Sequence, residues 1–271
     1  MQAVGASQID WLAEGVAVDL ALPAGAEVAS ATEAARGALG AAPVDVVVQE
    51  AEGRRKKLLI ADMDSTMIDQ ECIDELADEV GLKEKVADIT ARSMNGEIAF
   101  EPALRERVAL LAGLETIVIS RIIENRITLA SGGRTLVATM KASGAWTALV
   151  SGGFLSFTGP IAEKLGFQEN RGNLLLEEGG RLLGKVGEPI LGREAKATAL
   201  NEICERLGIT PEEAIAVGDG ANDLDMLALA GSGVALHAKP TVGAQAKIRI
   251  DHSDLTALLY LQGYRRDEFV G

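Results

Sequence analysis

Two aspartates, Asp62 and Asp64, follow the apolar run LLIA (58–61) in the order DMDST. Side chains two apart on extended backbone project to the same side, so this spacing aims two carboxylates into one pocket. Like charges that close resist double ionisation unless a cation or a proton intervenes, which suits a metal with a reactive carboxylate beside one that moves protons. The same letters also describe an Asp-rich turn with Ser65 or Thr66 as a helix cap. A second acidic group lies in GDGANDLD (218–225). Here Gly218 and Gly220 are expected to permit tight backbone turns, and Asp219, Asn222 and Asp223 crowd the oxygen donors that a hard cation takes. Alone, it reads more readily as a Gly/Asn loop ahead of a helix from Leu224; EF-hand spacing with its closing bidentate Glu is missing. Ser151-Gly152-Gly153 offers a hydroxyl and unhindered N–H groups to phosphate oxygens, or makes an ordinary turn.

Helix-face arithmetic separates two cations from the solvated ones. Arg107 has Ala103, Leu104, Leu110 and Leu111 at its ±3 and ±4 positions and points inward, whereas Arg105 has Glu101 one turn back. Lys196 has no acid at those spacings and faces Ala199 and Leu200; for both cations a stem snorkelling along apolar surface is the alternative, and a functional role is set above it only because both would face the same site. Glu71 opens a helix, where the dipole favours a carboxylate anyway. His237 and His252 stand apart from any acid and serine constellation, so a Ser-His-Asp hydrolase is a poor fit, and G-x-S-x-G and Walker-type loops are missing.

The elements that must position these groups are short, wholly apolar runs: LLIA (58–61), WTALV (146–150) and AIAV (214–217), each ending at one of the polar motifs. Such runs are strands covered on both faces. With helical patterns between them they predict an α/β doubly wound parallel sheet, whose ligands bind outside the strands' carboxyl ends. From Asp69 to about Ala130 the pattern is helical with almost no strand signal and is read as an inserted helical cap; NLLLEEGGRLLGKV (173–186) carries a hairpin signal. Ahead of the core, 15–22 and 44–49 read as strands flanking a helix from Ala26 to Leu39, a small N-terminal βαβ segment (1–53), joined by the charged connector 50–57 to a core domain, 54–271.

The 271 residues are 48% hydrophobic and 24% charged, which is globular usage. A formal charge of −14 and 3% aromatics leave little from which to build a nucleic-acid surface. Cys72 and Cys204 form neither a metal-ligand spacing nor a disulfide framework. No run reaches the ~18 apolar residues of a membrane span and the start has no basic region before an apolar core, so a cytoplasmic protein is expected.

In this order, LLIADMDST, VSGG, the inward Lys196 and AVGDGANDLDM resemble the haloacid dehalogenase-like phosphatases, and the stretches MDSTMIDQECIDELADEVG and FEPALRERVALLAGL narrow the likeness to members acting on O-phosphoserine, from about Lys57 to Leu261. The resemblance implies that Asp62 is a nucleophile forming an aspartyl-phosphate and Asp64 a general acid and then base. It implies Mg²⁺ held by Asp62, the Asp64 carbonyl and Asp219, with Asn222 and Asp223 as support. Lys196, Ser151 and the Gly152 N–H would meet the phosphoryl group, Glu71 the substrate ammonium and Arg107 its carboxylate, with Asn222 also on the substrate side. It implies the last step of serine biosynthesis, with phosphotransfer to homoserine or hydrolysis of another small phosphomonoester as the alternative. No nucleic acid or membrane partner is expected, a homodimer is, and residues 1–53 resemble a truncated amino-acid-binding ACT module.

Overall fold

The computed structural model describes residues 2–271. An N-terminal hairpin of β1 (Gln8–Ala13) and β2 (Ala17–Ala21) and a helix, α1 (Val28–Leu39), precede the main body. The body starts with β3 (Leu58–Ala61) and the helices α2 (Cys72–Asp78), α3 (Lys83–Met94), α4 (Phe100–Ala109) and α5 (Ile117–Asn125). It continues through α6 (Gly133–Ala142), β4 (Trp146–Phe154), α7 (Leu155–Leu165), β5 (Glu169–Asn173) and a hairpin of β6 (Leu175–Glu178) and β7 (Arg181–Val186). The remainder is α8 (Arg193–Leu207), β8 (Ala214–Gly218), α9 (Leu224–Leu229), β9 (Ser232–Leu236), α10 (Pro240–Gly243), β10 (Ile248–Ile250) and α11 (Ala257–Leu261).

The central sheet has the order β10-β9-β8-β3-β4-β5 and is parallel throughout. Its inner strands are mostly apolar and buried because both faces are covered. Leu59, Leu149, Ile215 and Val217 join one core with α6, α7 and α11, while Leu58, Ile60, Ala148, Val150, Ala214 and Ala216 join the other with α8, α9 and Val242 of α10. The doubly wound reading therefore holds. No helix among the described residues is long and apolar enough to cross a membrane.

The helices α2 to α5 form the inserted cap. Its two connections are laced together, Ile68 bridging Leu129, the Asp69 N–H donating to Thr128 O and the Ala130 N–H to Met67 O. The β6–β7 hairpin forms where the Glu-Glu-Gly-Gly signal placed it and also extends the cap: Gly113 N–H donates to Leu182 O at 2.8 Å and Leu182 N–H to Leu114 O at 2.9 Å. Gly184 is held at φ +67°, and a methyl there would come within 2.8 Å of Ala112 Cβ, so glycine is what lets the hairpin lie against the cap.

The N-terminal segment departs from the expected βαβ. The first strand pairs within its own antiparallel hairpin, Ile9 opposite Leu20 and Trp11 opposite Val18, and residues 44–49 form no strand. The β-branched residues of VDVVV signalled a strand, but the run forms none: Val47 packs on the main core, and Asp45 takes the place of a ladder partner by accepting from the N–H groups of Asp251, His252 and Ser253. The charged connector 50–57 is tied down by its cations. Arg54 pairs with Asp19 at 2.6 Å, Arg55 with Glu268 at 2.7 Å while stacking on Tyr264, and Lys56 Nζ donates to Glu212 O.

Burial of Asp45 would raise its pKa, but the donors at 251–253 outweigh that and hold it below the ordinary carboxylate value. A folded-state pKa below the unfolded one stabilises above the unfolded pKa, near 4, and the contribution fades as pH falls through the folded value. Asp45→Asn should therefore melt lower than the parent chain at pH 6 by the equivalent of about 1 kcal/mol, discounted for exposure. The gap should narrow at pH 3; a constant gap in paired thermal melts would refute the carboxylate's role.

Candidate active site

In the sheet, β3 lies between β8 and β4, and the chain goes out through β4 and β5 before crossing back to β8. The carboxyl ends of these strands meet at that switch point, where open α/β sheets bind ligands. Asp62 and Asp64 leave β3, Ser151, Gly152 and Gly153 end β4, Asp219, Asn222 and Asp223 follow β8, and Lys196 stands in the first turn of α8.

Lys196 is completely buried, its ammonium 2.7 Å from Asp62 Oδ1 and 2.6 Å from Asp223 Oδ1. Burial opposes its charge, but Asp223 and Asp62 outweigh that and raise its pKa, so it stays an ammonium. One cation does not balance the acids around it: carboxylate oxygens of Asp62, Asp219 and Asp223 all lie within 4.8 Å of one another. Burial and then Asp223 push Asp62 well above the ordinary carboxylate range despite Lys196, and push Asp219 up to about 6. Asp219 Oδ1 accepts from Thr66 Oγ1 at 3.2 Å, while its buried Oδ2 has no hydrogen-bond partner, Lys239 Nζ being 3.4 Å away. Surplus negative charge, an orphaned carboxylate oxygen and an all-oxygen donor set fit a hard divalent cation. Asp223 is already engaged on both oxygens, by Lys196 and by the Gly220 N–H at 3.0 Å.

Asp64 Oδ1 accepts the Cys72 N–H at 2.8 Å, and Oδ2 lies 3.4 Å from Ser151 Oγ. Burial, stronger than these donors, raises its pKa. The glycines here serve room, not turning: Gly220 has φ −108°, and Gly218, Gly152 and Gly153 are not among the left-handed glycines, which corrects the expected tight turns. A methyl on Gly153 would stand 2.7 Å from Asp64 Oδ2, and one on Gly218 would stand 2.3 Å from Asp223 Cγ.

Above the sheet, the cap supplies two opposite charges. Glu71, at the N-cap of α2, accepts from Ser65 Oγ at 2.7 Å, and burial together with Asp64 and Asp219 pushes its pKa well up. Arg107 on α4 is 5% exposed, as its apolar helix neighbours required; Arg105 faces out and pairs with Glu188 at 2.5 Å, not with Glu101. Asp62, Asp64, Glu71, Arg107, Ser151, Gly152 and Asn222 line one cavity of about 40 Å³. That holds a few waters, so the cap is closed and must shift to admit an organic molecule. Lys196, Asp219 and Asp223 sit behind Asp62, and His237 lies in an exposed loop against Ser253 O.

Several contributors escaped the sequence reading. Phe100 closes the cavity over Gly152, where a methyl would stand 2.7 Å from its ring. Asn173 ties Gly152 O and Leu191 O with Nδ2 and accepts the Leu191 N–H. Phe100 is one of only five phenylalanines, a usable cue in so aromatic-poor a chain, but nothing in the spacing points to Asn173 or Lys239.

The model of the haloacid dehalogenase-like hydrolases matches residues 59–228, a span that holds Asp62, Asp64, Glu71, Arg107, Ser151, Lys196 and Asp219. The chain belongs to the haloacid dehalogenase-like hydrolase family. This hydrolase is 46% identical over 210 residues to a phosphoserine phosphatase of Albidiferax ferrireducens, covering 76% of this chain and 89% of that one. It is 42% identical to a phosphoserine phosphatase of Streptomyces coelicolor over 89% of this chain, but spans 58% of that relative's length. Among solved structures, a phospho-aspartyl intermediate analogue of phosphoserine phosphatase shares 40% identity at TM-score 0.73 over 76% of this chain and 98% of the other. A HAD family hydrolase from Salmonella enterica superposes at TM-score 0.82 with 31% identity, over 90% of this chain and 84% of its own.

Removing Lys196 leaves Asp62 and Asp223 buried without their shared cation. Lys196→Met should lower the unfolding free energy by about 3–5 kcal/mol, read as a shifted urea midpoint in EDTA; an unchanged midpoint would show that the ammonium does not hold these acids.

Proposed function

We propose that this hydrolase is a phosphoserine phosphatase, cleaving O-phosphoserine to serine and phosphate through an aspartyl-phosphate on Asp62. One observation carries the reading: Glu71 and Arg107, opposite charges from separate cap helices, line the same small cavity as Asp62 and Asp64. A phosphomonoester bearing an ammonium and a carboxylate complements that set. The phosphoserine phosphatase relatives at 42–46% identity support it.

Asp62 is held for attack, since the Met63 N–H and Lys196 both take Oδ1 and leave Oδ2 for phosphorus. As the Oδ2–P bond forms, the bond from phosphorus to the serine oxygen breaks and Asp64 gives that oxygen its proton. Water then attacks phosphorus, Asp64 takes its proton, and the bond to Asp62 breaks to release phosphate. Lys196, the Ser151 hydroxyl and the Gly152 N–H meet the phosphoryl oxygens, with Asn222 beside them, so fixed donors face the charge that spreads in the transition state. Arg107 pairs its fork with the substrate carboxylate and Glu71 accepts from the ammonium. The acidic residues Asp62 and Asp219, with the Asp64 carbonyl and with Asp223 behind them, would hold Mg²⁺, which when bound neutralises phosphoryl charge.

We divide the chain at residue 53, with 54–271 the catalytic part, and place it in the cytoplasm, a reading supported by two free, buried cysteines. A homodimer is supported by the outward apolar face of the β1–β2 hairpin, where Ile9 is 42%, Trp11 50% and Val18 40% exposed; sedimentation as a monomer at micromolar concentration would refute it.

Steady-state kinetics on phosphoserine, phosphoethanolamine and p-nitrophenyl phosphate test the function. Asp62→Asn should abolish turnover of all three. Arg107→Ala should lower kcat/KM on phosphoserine by the roughly 1.5–3 kcal/mol of a charged hydrogen bond and leave the two substrates without a carboxylate little changed. Parallel losses would return the assignment to a phosphatase of another small phosphomonoester, and transfer of the phosphoryl group to an added alcohol would make it a phosphotransferase.

A further inference from the structure

Arg107 reaches the cavity with one side of its guanidinium already held. Its Nε donates to Ala103 O one turn back at 3.1 Å, and Nη1 donates to Thr90 Oγ1 on α3 at 2.9 Å. Two of the five N–H groups are thereby committed, leaving the others for a ligand. The Thr90 hydroxyl, itself 3% exposed, has two acceptors in reach: Val86 O in its own helix at 2.9 Å and Asp74 Oδ1 on α2 at 2.8 Å. A threonine inside a helix commonly back-bonds the carbonyl four residues earlier, which accounts for Val86 alone. It does not account for an arginine donating to the same oxygen from one neighbouring helix while a carboxylate faces its proton from another. The charged acceptor makes the stronger bond, so the hydroxyl proton goes to Asp74.

The resulting chain, Asp74 to Thr90 to Arg107, crosses three cap helices. Asp74 stands one turn after Glu71, and its N–H donates to Glu71 O at 3.0 Å. The same chain therefore fixes the guanidinium and the backbone that presents Glu71, the two groups assigned above to opposite ends of the amino acid. Neither Thr90 nor Asp74 lines the cavity, and the mechanism uses neither.

We propose that Thr90 is a positioning residue for substrate selection: backed by Asp74, its hydroxyl locks the Arg107 fork in the orientation that pairs with the substrate carboxylate. The inference rests on the phosphoserine reading. An arginine side chain carries a large rotamer entropy, and a guanidinium fixed before binding does not lose it on meeting the carboxylate.

Thr90→Val keeps the β-branched shape and removes the hydroxyl; Thr90→Ser keeps the hydroxyl. The expected result for Thr90→Val is a roughly tenfold fall in kcat/KM on phosphoserine, carried mainly by KM. Its turnover of p-nitrophenyl phosphate should match the parent chain even though its melting temperature falls with the lost buried hydrogen bonds, and Thr90→Ser should recover most of the loss on phosphoserine. No loss on phosphoserine, equal loss on both substrates, or a serine variant no better than the valine one would overturn the proposal. Arg107→Ala, assayed alongside, separates the two levels. If it costs phosphoserine turnover while Thr90→Val does not, the positioning role alone fails; if it too leaves phosphoserine unaffected, the reading beneath fails with it.

Discussion

The buried ammonium of Lys196 is the constraint on which the site depends. It stands 2.7 Å from Asp62 and 2.6 Å from Asp223, and without it two carboxylates from different strand ends would face each other away from water. Isolated buried charges are expensive, and a pair is tolerated only with good geometry and further hydrogen bonds. Both conditions are met: Asp62 also accepts the Met63 N–H and Asp223 the Gly220 N–H. The lysine thereby ties α8 to the ends of β3 and β8, and the sheet core is pinned to the chemistry by the same contact that organises it.

Asymmetry among the acids follows from what each has to lean on. Asp62 and Asp223 share the ammonium, whereas Asp64 has an amide at one oxygen and only a distant hydroxyl at the other. Burial raises both, and Asp62 the further because Asp223 also faces it, so what separates the two is contact: the Lys196 ammonium lies against Asp62, an amide and a hydroxyl against Asp64. Two carboxyl groups two residues apart thus take different parts because their surroundings differ. Asp219 is a third case, with an oxygen that no protein group satisfies.

The cap completes the site by exclusion as much as by contact. With Phe100 laid over Gly152 and the cap helices closed, the cavity is only about 40 Å³, which limits water at the acids around it to a few molecules. Closing strengthens every electrostatic interaction inside, at the cost of requiring motion for each turnover. The β6–β7 hairpin, laced to Gly113 and Leu114, belongs to this lid although it lies beyond β5 in the chain.

The sheet and the acidic motifs were legible in the sequence because their signals are local. A strand buried on both faces must be apolar throughout, so LLIA, WTALV and AIAV marked the core, and side chains at strand ends inherit their direction from the pleat. Arg107 and Lys196 were legible for a similar reason, since helix periodicity alone says which face turns inward. What the sequence left open was every choice between partners of equal local merit. VDVVV reads as a strand, yet whether it joins a sheet depends on a free edge within reach, and here three backbone N–H groups drew Asp45 instead. Arg105 had Glu101 one turn back but found Glu188, a residue 83 positions away. The glycines of the loops after β4 and β8 showed no need for unusual dihedrals; their need for space arises only once Asp64, Asp223 and Phe100 are in place. Periodicity fixes which face of an element is buried, but contacts between elements distant in sequence are decided by packing, and no local pattern encodes them.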